Sequence, residues 1–181
     1  MANRETNPLV GVVMGSDSDL PALQPAFTIL DSFKVPYEWG IKSAHRTPEA
    51  MIQYGRTAAD RGLQVLIAAA GGSAHLPGML ASETRLPVLG VAIENSPDPM
   101  NSALGSMVYM PKGKPLATMG RKEAAAHNAA LFAVRILALA DPELAARYDA
   151  YDNKLAEEVK AKDALAQAML PRDYATLFLQ K

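Results

Sequence analysis

Short apolar runs, each stopped by a glycine or a polar turn and each followed by a helix start, constrain this chain more than any other feature. Leu9-Val10-Gly11-Val12-Val13-Met14 is the first, halted by Gly15. It is continuously apolar rather than alternating, which predicts a strand buried on both faces. Helical spacing follows at Leu20, Leu23, Phe27 and Leu30, over about residues 19–33. Pro21 is tolerated near that start, whereas Pro25 lies deeper and predicts distorted first turns. A second strand is expected over Val35 to Lys42, carrying the only tryptophan, Trp39. Thr47-Pro48-Glu49 reads as a helix start, with a hydroxyl cap, proline at the first helical position and an acid at the positive end of the dipole. That helix is expected to reach about Arg61, with Gly62 as its C-cap.

Gln64 to Ala70 predicts a third strand and Pro87 to Ile93 a fourth. Glu94 to Pro115 reads as a loop with a short helical piece around Met100 to Val108, and Leu116 to Met119 as a short fifth strand. An alanine- and leucine-rich helix is expected over Glu123 to Ala140. Asp141-Pro142-Glu143 opens another, charged helix running to about Asp163. Strands alternating with helices predict an α/β fold with a doubly wound parallel sheet and right-handed crossovers. The expectation is one domain, with a core over about residues 8–140 and a helical extension over about 141–181. The tail residues Tyr174, Leu177, Phe178 and Leu179 are apolar, so a projecting C-terminal helix is expected to pack on a neighbouring subunit.

A chain of 181 residues with 49% apolar and 20% charged residues suits one soluble domain with a real core. The formal net charge of −1 gives no electrostatic reason to expect nucleic acid or a membrane surface as partner. There is no cysteine, which excludes disulfides, a thiolate nucleophile and thiolate metal sites. No apolar run is long enough to span a bilayer, and the polar stretch Met1 to Pro8 lacks a signal-peptide core, so a cytoplasmic location is expected.

Three loops that follow strand-like runs carry the chemistry, and a parallel sheet would gather them at the edge where α/β proteins bind ligands. The first, Gly15-Ser16-Asp17-Ser18-Asp19, offers hydroxyls, carboxylates and the backbone amides of a helix start. Such a terminus takes a phosphate, and a neighbouring carboxylate accepts from ribose hydroxyls. Plain helix capping by Ser18 or Asp19 is the competing reading. The second, Ser43-Ala44-His45-Arg46-Thr47-Pro48, sets an imidazole beside a guanidinium. Arginine grips a phosphate through its fork of donors, with Ser43 able to assist. A histidine side chain can give and take a proton near neutral pH. The third, Ala70-Gly71-Gly72-Ser73-Ala74-His75-Leu76-Pro77-Gly78, has small residues at nearly every position before His75, so a flat ligand can lie against its backbone. It is neither a P-loop nor a dinucleotide fingerprint. With three histidines and no helical histidine pair beside an acid, no metal site is expected. No nucleophile-elbow pattern supports a serine triad, and the nine methionines read as core filler.

Taken together, G-S-D-S-D at 15–19, S-A-H-R-T-P at 43–48 and A-G-G-S-A-H-L-P-G-M at 70–79 resemble the class I N5-carboxyaminoimidazole ribonucleotide mutase family. With P-V-L-G-V at 87–91 and N-A-A-L at 128–131, the likeness covers roughly residues 8 to 140. The resemblance implies a flavodoxin-like three-layer αβα sandwich in a homo-octamer, acting in de novo purine biosynthesis without metal, ATP or organic cofactor. The implied reaction converts N5-carboxyaminoimidazole ribonucleotide into 4-carboxy-5-aminoimidazole ribonucleotide through free CO2. By the same resemblance, Ser16, Asp19 and Arg46 would hold the phosphate and ribose, with Gly15, Asp17, Ser18 and Ser43 in support. His45, with His75 nearby, would supply the catalysis, His45 as general acid and base. Ala70, Gly71, Gly72, Ser73, Ala74 and Leu76 would hold the imidazole and a carboxylate-sized pocket.

Arginine after His45, followed by Thr-Pro, looks like the mutase class; the class that carboxylates aminoimidazole ribonucleotide directly usually shows lysine there. Direct carboxylation is the nearest alternative, and a non-catalytic nucleotide sensor using the same crevice is a more distant one. One stretch departs from the family. Where such mutases commonly read A-T-x-A-I-G-x-A-G-A-x-N-A, this chain reads Ala117-Thr118-Met119-Gly120-Arg121-Lys122-Glu123-Ala124-Ala125-Ala126-His127-Asn128-Ala129. Charge replaces the usual apolar strand end.

Overall fold

The apolar runs become the five strands of one parallel sheet: β1 (Val10–Met14), β2 (Tyr37–Ile41), β3 (Val65–Gly71), β4 (Val88–Ile93) and β5 (Ala117–Arg121). The structure is a computed structural model that describes residues 7–93 and 103–179. Between the strands run α1 (Leu20–Ser32), α2 (Pro48–Ala58), α3 (His75–Glu83), α4 (Ala103–Val108) and α5 (Lys122–Ala138), followed by α6 (Pro142–Gln167) and α7 (Pro171–Leu179). The part of the 94–115 reading that falls on 94–102, and the side chains of Phe178 and Leu179, lie outside the described residues.

Strand order is β2-β1-β3-β4-β5, the flavodoxin-like order, so the chain reverses direction across the sheet between β1 and β3. Every residue of β1 is buried, which is why its sequence is continuously apolar. Alternate residues feed opposite faces of the sheet. Val10, Val12 and Met14 join Val65, Ile67 and Ala69 of β3 beneath α1 and the alanine face of α5. Val13, Leu66, Ala68 and Ala70 join Met51 of α2, Leu76 and Leu80 of α3 and Met107 of α4 on the other side. Two apolar layers, one on each face, make the expected three-layer sandwich. The register is level where it matters: Met14 is beside both Ile41 and Ala69, and Gly71 beside Ile93. The loops after β1, β2 and β3 therefore leave the sheet side by side.

Several local readings are corrected. Pro25 sits inside α1, which runs through it. Helix α2 stops at Ala58, short of Arg61, and Gly62 takes a left-handed conformation (φ 93°) in the turn beyond. Thr47 does not cap α2; its hydroxyl accepts from the Ser43 amide and donates to the Ser43 carbonyl. The third loop is shorter than read, because His75 is already helical: Pro77 falls in the first turn of α3, where the missing N–H costs little, and Leu76 and Leu80 bury the helix on the sheet. The Asp141 cap holds as read, its carboxylate accepting from the amides of Glu143 and Leu144 at 3.0 Å each.

Strand β5 reaches Arg121 but is irregular. The register with β4 shifts between Gly90 and Ala92, and the strand leaves through Gly120 (φ 96°) and Lys122 (φ 60°), two left-handed residues. Helix α6 is anchored through its first turns. Leu144 enters the core, Phe33 lies 5.5 Å (ring centroids) from Tyr151, and His127 Nε2 meets the Tyr151 hydroxyl at 3.1 Å. Past Tyr151 it is solvent-facing, with Leu155, Val159 and Leu165 exposed; Leu170 and, on α7, Leu177 are exposed as well. Among the described residues no helix is long and apolar enough to cross a membrane.

Candidate active site

The sheet edge that the level register creates is built by three short loops, each fixed by its own hydrogen bonds. In the first, Ser16 caps the single 3-10 turn Asp17–Asp19, and the Asp19 carboxylate accepts from the Ser16 amide at 3.0 Å. The cap therefore falls on Ser16, not on Ser18 or Asp19. Ser18 Oγ donates to Ser16 Oγ at 3.0 Å, so the two hydroxyls stand together. The Gly15 amide donates to the Ala69 carbonyl at 3.1 Å, which ties this loop to β3. Asp19 is 6% exposed, and burial pushes its carboxyl above the usual carboxylate range, against the pull of the backbone amides at Ser16 and Gly15.

In the second loop the Arg46 amide donates to Ser43 Oγ at 3.2 Å, and the Thr47 amide to the Ser43 carbonyl at 3.0 Å, closing a compact turn. Buried Ala44 pins the turn to the core, so His45 and Arg46 project outward together. The guanidinium reaches across to the first loop, donating to the Gly15 carbonyl at 3.3 Å and to Ser43 Oγ at 3.4 Å. These are long, neutral contacts, and among the described residues no carboxylate pairs with it. An arginine so placed is ready for an anion.

In the third loop Gly72 is left-handed (φ 59°), and a Cβ on Gly71 would stand 2.5 Å from the Ile93 carbonyl oxygen. Only glycine fits Gly71, and the backbone there is bare as a result. Buried Ala74 anchors the start of α3, and His75 turns toward the second loop. His45 Nε2 lies 2.8 Å from His75 Nδ1, with the rings edge to face at 84°.

One cavity of about 430 Å³ collects these groups. Its lining holds Gly15, Ser16, Ser18, Asp19, Ser43, His45, Arg46, Ala70, Gly71, Ser73, His75 and Leu76, all singled out from the sequence, together with Ala44. Asp17 faces an adjoining cavity of about 320 Å³ shared with Ser16, Ser43, Arg46, Ile41 and Thr47. Gly72 and Ala74 line neither; they shape the turn. Ile41, Ala44 and Thr47 are the lining residues that sequence reasoning missed, although each lies inside or beside the S-A-H-R-T-P motif. The arrangement offers hydroxyls, amides and a guanidinium for an anion at one end, and a paired imidazole over a bare backbone at the other. A volume of this size suits a small organic ligand.

A sequence model of the AIR carboxylase family matches residues 9–158. The chain is 52% identical over 163 residues to the N5-carboxyaminoimidazole ribonucleotide mutase of Mycobacterium tuberculosis, covering 90% of this chain and 92% of that protein. It is 50% identical over 156 residues to the phosphoribosylaminoimidazole carboxylase of Schizosaccharomyces pombe, covering 86% of this chain but only 28% of that longer protein. The crystal structure of Treponema denticola PurE superposes with a TM-score of 0.76 at 28% identity, covering 88% of this chain and 98% of that one. With the family match running from β1 into α6, the chain belongs to the AIR carboxylase family.

Proposed function

We propose that the chain is an N5-carboxyaminoimidazole ribonucleotide mutase, moving a carboxyl group from the exocyclic nitrogen of an aminoimidazole ribonucleotide to ring carbon C4 in purine biosynthesis. The observation that carries this reading is the single cavity in which His45 and Arg46, adjacent in the chain, meet the hydroxyls of the first loop and the bare backbone of Ala70 and Gly71. The 52% identity to a protein named as that mutase supports it.

In this reading Arg46, Ser16 and Ser18 hold the phosphate, with Ser43 orienting the guanidinium, and Asp19 accepts from the ribose. Asp17 and Gly15 shape that end. The imidazole ring lies on Ala70 and Gly71, where small or absent side chains leave room for a carboxylate. As the carbamate N–C bond breaks, its electron pair returns to the exocyclic nitrogen, which takes a proton from His45, and CO2 is released into the cavity. The electron-rich C4 attacks that CO2, and His45 takes the C4 proton, which restores aromaticity and recharges the acid. One group acts twice, as a histidine near neutral pH can. Leu76 and the small third loop limit escape of the gas, so recombination is favoured by proximity. His75, bonded to His45 at 2.8 Å, sets the orientation of its ring.

The chain is further proposed to work as a cytoplasmic homo-octamer of single-domain subunits, residues 8–140 forming the core and the 141–181 extension packing between subunits. The exposed Leu155, Val159, Leu165, Leu170 and Leu177 support such packing.

A second reading, direct carboxylation of aminoimidazole ribonucleotide, is favoured by the 50% identity to the fission-yeast protein, which is named a carboxylase. Supplying the purified protein with each ribonucleotide separately, without ATP, distinguishes the two. The mutase forms the C4-carboxylated product from the N5-carboxylated substrate at a rate independent of added bicarbonate. Product formed only from aminoimidazole ribonucleotide plus CO2 would establish the carboxylase instead.

A further inference from the structure

We infer that the paired imidazoles of His45 and His75 form a binding site for a divalent transition-metal ion of the zinc type. His45 Nε2 in the second loop and His75 Nδ1 at the first residue of α3, thirty residues apart, converge at 2.8 Å with their planes at 84°. Two nitrogen ligands about 2.05 Å from a tetrahedral ion stand about 3.3 Å apart, so the pair has to open by about half an ångström and each ring has to turn its lone pair off the line joining the two nitrogens. Both rings are exposed, so an ion reaches them from solvent. Both are held from behind: Ala44 is 8% and Ala74 1% exposed, so each histidine follows a residue locked in the core. The backbone beneath each ring is thus fixed.

Coordination replaces the hydrogen bond between the rings. Each neutral imidazole carries its single N–H on the nitrogen away from the ion. Among the described residues no cluster of three or more histidine or acidic side chains is placed to hold a metal, so the remaining positions are open to water. Hard ions such as Mg2+ and Ca2+ prefer oxygen ligands and are excluded. Sequence spacing hides the pair, because no local motif joins residues 45 and 75.

The inference does not rest on the proposed reaction, and its test uses no nucleotide. Untagged full-length protein is titrated calorimetrically with Zn2+, and separately with Co2+ while the visible absorption is recorded. Wild type is expected to take one Zn2+ per chain and to develop a Co2+ spectrum. Losing an outer partner of a metal ligand already costs about tenfold or more in affinity, so His75→Ala and His45→Ala are each expected to lose at least that. His127→Ala, which removes the remaining histidine, is expected to bind as wild type does. Retention of tight Zn2+ binding by either single variant, with its thermal melt unchanged, overturns the site. Equal binding of Mg2+ overturns it as well.

Discussion

The middle of the sheet and its β5 edge respond to sequence in opposite ways. Around β1 and β3 the strands are regular, buried and level, and the loops that leave them are fixed by internal hydrogen bonds. At the β5 edge the register slips and the chain leaves through two left-handed residues, one of them a lysine. The family pattern has glycine at position 122 and alanine at 120, whereas this chain carries Lys122 and Gly120. The irregularity absorbs that exchange locally. What positions the cavity is the parallel register of β2, β1 and β3, which the altered segment does not enter. A charged strand end at the far edge is therefore compatible with an intact set of ligand loops.

Four predictions break or sharpen this contrast. Replacing the imidazole, His45→Asn, is expected to lower turnover about a thousandfold while the fold and nucleotide binding persist. Steady-state rates and a binding titration check it, and a near-normal rate removes His45 from the chemistry. Arg46→Ala takes away the one guanidinium in the cavity and is expected to raise KM by about a hundredfold with a smaller change in kcat, as loss of a charge-assisted contact to phosphate does. At the other edge, Lys122→Gly relieves a left-handed side chain and is expected to stabilise by about 1 kcal/mol, a Tm rise of about 3 °C, with unchanged activity. A lost rate in that variant would couple the two edges. The smallest effect concerns Asp19. Its folded-state pKa is raised by burial above 3.8, so the folded chain holds this proton more tightly than the unfolded one. Stability relative to Asp19→Asn should therefore fall as pH rises from 3.8 through the raised value, because unfolding releases a proton in that window. Melting curves of both proteins across that range measure it, and a pH-independent difference contradicts it.

Most of the architecture was legible because buried parallel strands announce themselves. Val10 to Met14 and Val65 to Ala70 have no other comfortable place than the middle of a doubly wound sheet. Once those strands are parallel and adjacent, the three loops must converge, and the lining residues follow from the motifs. Helix α3 was missed because His75-Leu76-Pro77-Gly78 reads as a turn by propensity, and only burial of Leu76 and Leu80 makes it helical. Thr47 was misread because its hydroxyl has two partners in reach and takes Ser43, which no spacing rule decides. The contact between His45 and His75 lay beyond the sequence altogether. It depends on where two loops stop across β1, a matter of register to within an ångström.

The most direct test is the structure of the protein with an aminoimidazole ribonucleotide bound. The phosphate should lie against Arg46, Ser16 and Ser18, the ring on Ala70 and Gly71, and C4 or the exocyclic nitrogen within hydrogen-bond reach of the His45 imidazole. A ligand seated outside this cavity, or a His45 ring turned away from it with the nucleotide in place, would contradict the account.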